Sequence, residues 1–236
     1  MQDQFTAPIT YYLQEGKANL HQTVKIALEG AKAHNVKTVV IFTSQGEGVR
    51  VAHDAIQAPG SPFADINIVA VTFPQGMQFV DEKQQPMLVD ILPENKDLFR
   101  RENIPLVRAH MPFHPIPPFF KNRGVLANDL SLVENALNIF GGSMSLCVQA
   151  VLMACDAGIV PIGDHVITCT SDTAVLAKAT CTTRLLTEFI VREILCKPAI
   201  FDIGMKENKE AVLPDQSQQP TLEGEGEIKS LPEAFE

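Results

Sequence analysis

No run of 18 apolar residues occurs in the 236-residue chain, so we expect no membrane-spanning helix. The first twenty residues include Asp3 and Glu15 and lack a basic start followed by an apolar stretch, which argues against a signal peptide. Hydrophobic residues make up 45% and charged residues 20% of the chain, as is ordinary for a globular protein. The length suits one sizeable core, and we expect a single folded domain.

Basic residues are few. The chain has 19 lysines and arginines against 28 acidic residues, a net charge of −9, which argues against nucleic-acid or anionic-membrane partners. Eight acidic and three basic residues fall in 205–236, a net of −5. We therefore predict one domain over 1–204 and an acidic, disordered tail over 205–236.

No CxxC pair is present, and no set of histidines has the spacing of a metal site. The five cysteines lie in apolar surroundings, which predicts buried, reduced thiols in a cytoplasmic protein. The six histidines suggest no converging ligand set, and we expect no bound metal.

The first half of the chain alternates helical and strand patterns. Apolar residues at helical spacing predict a helix over Asn19–His34, with Asn19 as its N-cap and Asn35 as a left-handed stop. The β-branched run Lys37–Phe42 predicts a central parallel strand buried on both faces. A helix after residue 48 and a second strand over Ile66–Phe73 complete two β–loop–α passages, which indicate an α/β fold.

The second half continues the alternation. We predict helices over Leu130–Phe140 and from Ser143 to Cys155, the second with Ser143 as its N-cap and Gly158 as its stop. Strands over Val166–Cys169 and Thr173–Ala179 follow. The pattern over Leu185–Leu195 indicates a further element and leaves open whether it is a helix or a strand.

The middle of the chain is less regular. Met87–Leu92 and Pro105–Ala109 are candidate strands. The segment His110–Gly124 is rich in proline and phenylalanine, which predicts a packed loop or lid rather than a helix.

The loop between the first predicted strand and its helix is the leading candidate site. It contains Thr43, Ser44, Gly46 and Gly48. Such a loop lies at the carboxyl edge of a sheet, its glycines allow close approach to a phosphate, and the following helix N-terminus favours an anion. It matches neither the P-loop nor the GxGxxG pattern, and an ordinary polar turn would look the same.

The link between the last two predicted strands is the second candidate. The hydroxyl groups of Thr170, Ser171 and Thr173 could donate hydrogen bonds to the same anion, and Asp172 lies among these residues. Serine and aspartate also simply suit a turn, so the residues alone leave both interpretations open.

The order of these motifs resembles the C-terminal domain of pyruvate kinase, and more closely the stand-alone proteins that are similar to that α/β domain. The residues that carry the resemblance are Val39–Gly48, Ala157–Ile167 and Asp172–Leu176. The likeness covers most of residues 10–204 and omits the tail. Its hairpin tip departs from the family, which usually has a longer, glycine-rich tip with an arginine.

The resemblance implies a three-layer α/β/α sandwich with a mixed five-stranded sheet that ends in an antiparallel edge strand, Thr173–Ala179. It implies that Thr43, Ser44, Gly46 and Gly48, together with Thr170, Ser171, Asp172 and Thr173, bind a phosphorylated ligand, for which flavin mononucleotide (FMN) or a sugar phosphate is a reasonable candidate. The catalytic barrel of pyruvate kinase is a different domain, so we expect no pyruvate kinase activity.

Three functions remain open at this point. The first is binding of a phosphorylated small molecule, with a regulatory role and a homo-oligomeric state both open. The second is a small enzyme, a flavin-dependent oxidoreductase or phosphate-ester hydrolase, for which Asp172, His53 and His165 are the acid–base candidates. The third is an interaction module that uses the acidic tail or the proline-rich segment.

Overall fold

The computed structural model describes residues 4–80, 85–114, 129–199, 202–203 and 206–207. Most of the predicted tail and the part of the proline-rich segment beyond residue 114 lie outside these ranges. The six α-helices within the described residues are α1 (Leu20–Ala33), α2 (Glu47–Gln57), α3 (Pro93–Arg101), α4 (Asp129–Asn138), α5 (Met144–Asp156) and α6 (Leu185–Glu188).

Eleven strands occur in the described ranges. They are β1 (Thr10–Tyr12), β2 (Thr38–Phe42), β3 (Asn67–Thr72), β4 (Gln78–Val80), β5 (Pro86–Leu88), β6 (Leu106–Arg108), β7 (His165–Cys169), β8 (Ala174–Lys178), β9 (Ile190–Pro198), β10 (Asp202–Ile203) and β11 (Lys206–Glu207). The pairs β4–β5 and β10–β11 form small antiparallel ribbons. None of the helices in the part of the chain described here is long and apolar enough to cross a membrane.

The main sheet has seven strands in the described residues, in the order β1-β9-β8-β7-β2-β3-β6. All neighbours are parallel except those of β8, which is antiparallel to both β7 and β9. The mixed α/β architecture is therefore confirmed, and the prediction of five strands with β8 at the edge is wrong. The segment that follows α6 forms β9 along the outer side of β8, and β1 pairs with β9 in turn, so β8 lies inside the sheet.

Strand β2 lies between two hydrophobic cores, one on each face of the sheet, which explains its nearly continuous apolar run. Val39 and Ile41 belong to the core that packs under α1, α2 and α3, whereas Val40 and Phe42 belong to the core under α5. All four side chains are buried. Helices therefore cover both faces of the sheet, and the strand presents its carboxyl end to the rim between them.

The helices begin and end close to the positions that the sequence predicts, but the predicted side-chain caps are not formed. Asn35 adopts a left-handed conformation with φ of 54°, and Gly158 does so with φ of 70° just beyond α5, which confirms both predicted stops. Asn19 and Ser143 directly precede α1 and α5, but neither caps its helix through the side chain. A short 3₁₀ turn, Lys17–Asn19, leads into α1. The side-chain amide of Asn19 donates a hydrogen bond to the Gln14 carbonyl instead of capping the helix.

The cysteines are free thiols in two different settings. Cys147, Cys155, Cys169 and Cys196 are buried, and burial raises the pKa of each. Cys181 is partly exposed, and a hydrogen bond with the Thr183 hydroxyl lowers its thiol pKa. The predicted buried thiols are thus confirmed for four of the five cysteines.

We predict that one thiol of the native protein reacts rapidly with a thiol-specific chromogenic reagent near pH 8, and that this thiol is Cys181. The thiolate is the reactive form, so exposure and a lowered pKa act together. Replacement by Cys181→Ser should remove the rapid phase, while denaturant should expose the remaining thiols. Two or more rapid thiols in the native protein would contradict the burial described above.

Candidate functional site

The two predicted loops meet at a point where the order of the chain reverses in the sheet. From β2 the chain proceeds to β3 and β6 on one side, and it then returns through α5 to place β7 on the other side of β2. Clefts at such reversals, beyond the carboxyl ends of the strands, are the usual ligand sites of open α/β sheets. Here the loop after β2 and the turn after β7 border the same cleft.

This switch-point cleft has a volume of about 230 Å³. The loop after β2 contributes three lining residues and the first turn of α2 two more. The turn after β7 contributes two, and the segments just before α1 and α5 contribute Lys17 and Ser143. The lining residues are Lys17, Leu20, Phe42, Thr43, Ser44, Gln45, Glu47, Gly48, Phe73, Ser143, Leu146, Thr170 and Ser171. Five of the eight predicted site residues therefore line one cleft.

The loop after β2 is a tight turn that leads directly into α2. The Thr43 hydroxyl accepts a hydrogen bond from the Gly46 amide at 2.9 Å, so Thr43 shapes the loop from within. Gly46 precedes α2 with φ of 100°, a conformation that favours glycine. The first amides of α2, from Glu47 onward, lie outside the helix's internal ladder and carry its positive dipole end. Ser44 is exposed at the rim.

Helix α3 holds this loop from outside. The Gln45 carbonyl accepts hydrogen bonds from the Leu92 amide at 3.0 Å and from the Asn95 side chain at 2.8 Å. A Cβ atom at Gly46 would lie 2.7 Å from the Asn95 Cβ, so the Asn95 side chain leaves no room for a side chain at Gly46. The sequence interpretation missed α3, although Pro93 at its first turn and two arginines in its last are typical helix signals.

The turn after β7 is organised by a buried carboxylate. Asp172 Oδ2 accepts a hydrogen bond from the Gly16 amide at 2.8 Å, and Oδ1 accepts one from the Thr173 hydroxyl at 3.0 Å. The Thr170 hydroxyl lies 3.4 Å from the same Oδ1. Asp172 and Thr173 are buried and do not line the cleft, whereas Thr170 and Ser171 do.

A second helix begins at the same cleft. Gly141 and Gly142 have φ of 76° and 60°, and the following Ser143 amide donates to the Thr173 hydroxyl at 3.0 Å. A Cβ at Gly142 would lie 2.5 Å from the Thr173 hydroxyl oxygen, so glycine is required by both conformation and space. The starts of α2 and α5 therefore both border the cleft, which concentrates positive dipole ends there.

The one cation among the lining residues is already paired. Lys17 Nζ lies 2.6 Å from Glu47 Oε1; the Lys17 side chain is 70% exposed and that of Glu47 is 17% exposed. Because Lys17 offsets the charge of Glu47, the cleft has no net side-chain charge. An anion would be held there by backbone amides and hydroxyl groups.

The two histidines considered as acid–base groups lie elsewhere. His165 begins β7, at the end of that strand opposite the turn. His53 lines a separate cavity of about 490 Å³ near the amino ends of β2 and β3, where its Nε2 atom lies 3.7 Å from Glu102 Oε2. Within the described residues, no group of three or more histidine, cysteine, aspartate or glutamate side chains could hold a metal ion.

No model of a known protein family matches the chain. Among solved structures, the crystal structure of Cryptosporidium parvum pyruvate kinase is similar to it, with a TM-score of 0.34 and 13% sequence identity. The alignment covers 71% of this chain and 24% of that chain. At this TM-score the likeness is weak, and the chain spans about a quarter of the length of that pyruvate kinase.

We predict that Gly46→Ala destabilises the protein more than Gly163→Ala. Both glycines have similar positive φ, of 100° and 96°, so both alanines incur a conformational cost of about 1–2 kcal/mol. Only at Gly46 does the new Cβ meet a neighbour, Asn95, which adds an overpacking cost of about 1–3 kcal/mol. Urea unfolding of the two variants measures the difference, and equal losses would show that α3 does not fix the loop.

Proposed function

We propose that the switch-point cleft binds a phosphorylated small molecule, FMN or a sugar phosphate, through its phosphate group. The observation that carries the proposal is the position of the cleft: the reversal in strand order brings the loop after β2, the turn after β7 and the start of α5 to one place. A regulatory role for this binding is part of the proposal.

The chemistry of the rim supports a phosphate ligand. Exposed Ser44 and half-buried Ser171 offer hydroxyl groups at the entrance, and the amides that open α2 lie beside them. A phosphate monoester carries a charge of about −1.5 to −2 at neutral pH, which the dipole ends of two helices favour. Neutral donors suffice for such a group when several backbone amides converge on it.

The size of the cleft supports binding of one end of a larger molecule. A volume of about 230 Å³ is smaller than the roughly 300–1,000 Å³ of pockets that enclose a whole drug-sized ligand. The phosphate would therefore lie inside while the sugar or flavin extends over the exposed rim. Hydrogen bonds to a charged group contribute about 1.5–3 kcal/mol each, so three of them leave only weak binding once association costs are subtracted. Contacts of the sugar or flavin must therefore supply the remaining binding free energy.

The lining residues favour binding over catalysis. Glu47 is the one carboxylate among them, and its ion pair with Lys17 competes with any role in proton transfer. None of the acid–base candidates Asp172, His53 and His165 lines the cleft. Asp172 is buried and held by internal hydrogen bonds, and both histidines lie elsewhere. Pyruvate kinase activity remains unexpected in this proposal.

We predict that Ser44→Asp weakens the binding of FMN or of a sugar phosphate by at least tenfold. Ser44 is exposed, so the fold should tolerate the substitution, and the added carboxylate would repel a phosphate in the cleft. Flavin fluorescence and thermal melts with FMN and with ribose 5-phosphate measure the affinity. A ligand at a hundred times its dissociation constant should stabilise the wild-type protein by about 2.7 kcal/mol.

Asn135→Asp is the matched control, because Asn135 is exposed on α4 and does not line the cleft. It adds the same charge to the chain and should leave the affinity unchanged. The proposal is refuted if neither FMN nor the sugar phosphate raises the melting temperature. Equal weakening by both substitutions would assign the binding to general electrostatics instead.

A further inference from the structure

A third cavity, of about 360 Å³, lies along β6, where Ile104, Leu106 and Arg108 line it. Its polar side chains include Asp90, Lys96, Arg100 and Arg108, while Phe99 contributes an apolar surface. Lys96, Phe99 and Arg100 come from α3, and Arg108 is the last residue of β6. The cavity shares no lining residue with the switch-point cleft.

The charge of this cavity differs from that of the whole chain. Three cationic side chains and one carboxylate line it, a local net charge of +2 in a protein of net charge −9. Like charges brought together around a cavity repel one another unless an anion balances them. Asp90 balances only part of this charge, and Asp97, which pairs with Arg100, lies outside the lining.

Asp90 fixes two of the cations in place. Its Oδ2 atom lies 2.6 Å from Lys96 Nζ, and its Oδ1 atom accepts hydrogen bonds from the Arg108 guanidinium and, at 2.8 Å, from the Ile91 amide. The hydrogen bond from Lys96 is the main cause that lowers the pKa of Asp90 to about 2, so this carboxylate stays ionised at neutral pH. The two cations are therefore oriented before any ligand arrives, which reduces the entropy lost on binding.

Arg100 is the third cation and the most adaptable. Its guanidinium contacts Asp97 at 3.2 Å, one turn earlier on the same helix, and both side chains are more than 70% exposed. Exposed pairs of this kind contribute little, so Arg100 can exchange Asp97 for a ligand at low cost. Arginine suits a phosphate because its planar fork donates two parallel hydrogen bonds.

We propose that this cavity is a second, separate anion site, which binds a compact phosphate-type dianion through Lys96, Arg100 and Arg108. The two charges of the ligand balance the local excess of +2. Asp90 acts as the positioning residue that orders two of the cations, and Phe99 forms an apolar part of the cavity wall. The proposal does not depend on ligand binding in the switch-point cleft.

We expect inorganic phosphate, used as the probe, to bind the full-length chain carrying Ser44→Asp, a background that suppresses binding in the first cleft. Equilibrium dialysis at low ionic strength measures the affinity, because salt screens exposed charges. Adding Arg100→Gln should weaken phosphate binding about tenfold. Because Arg100 is exposed and its pair is a surface contact, the substitution should leave the fold intact, which an unchanged melting temperature would verify.

Arg101→Gln provides the matched control in the same background. Arg101 is the next residue of α3, is 67% exposed, pairs with Glu102 and does not line the cavity. It removes the same charge and should change the affinity less than twofold. Equal losses for the two substitutions, or no phosphate binding in the Ser44→Asp background, would overturn the second site. Failure of FMN to bind the wild-type protein would refute the first site alone.

Discussion

The buried carboxylate of Asp172 joins three segments that are distant in the sequence. It accepts hydrogen bonds from the Gly16 amide ahead of α1 and from the hydroxyl of Thr173, whose oxygen in turn accepts from the Ser143 amide at the start of α5. A buried charge is tolerated only when such donors surround it. The turn after β7 and the starts of two helices are therefore held in one arrangement, and the switch-point cleft depends on it.

The switch-point cleft and the cavity beside β6 differ in the groups that would attract an anion. The switch-point cleft has its one lysine paired with Glu47 and offers helix amides and hydroxyl groups. The cavity beside β6 offers an excess of cationic side chains around Asp90. Helix α3 contacts both regions, since Asn95 holds the loop after β2 while Lys96 contacts Asp90. The two proposed anion sites therefore differ in the groups that would hold the ligand.

Much of the fold could be predicted because local patterns determine it. The run of β2, the stops at Asn35 and Gly158 and the loop beginning at Thr43 all follow from residue type and spacing. The seven-stranded order could not be predicted, since β1 is only three residues long and β9 pairs with β8 through two register shifts. The resemblance implies that Asp172 binds the ligand, and the sequence does not show that the Gly16 amide lies beside its carboxylate.

The most direct test of the account is a map of the amide chemical shifts of the isotopically labelled protein during titration with FMN. The account predicts that the largest changes fall on residues 44–48, on residues 170–171 and at the start of α5, with little change around His53. Changes that cluster elsewhere, or none at saturating FMN, would contradict the central claim that the reversal in strand order creates the phosphate site.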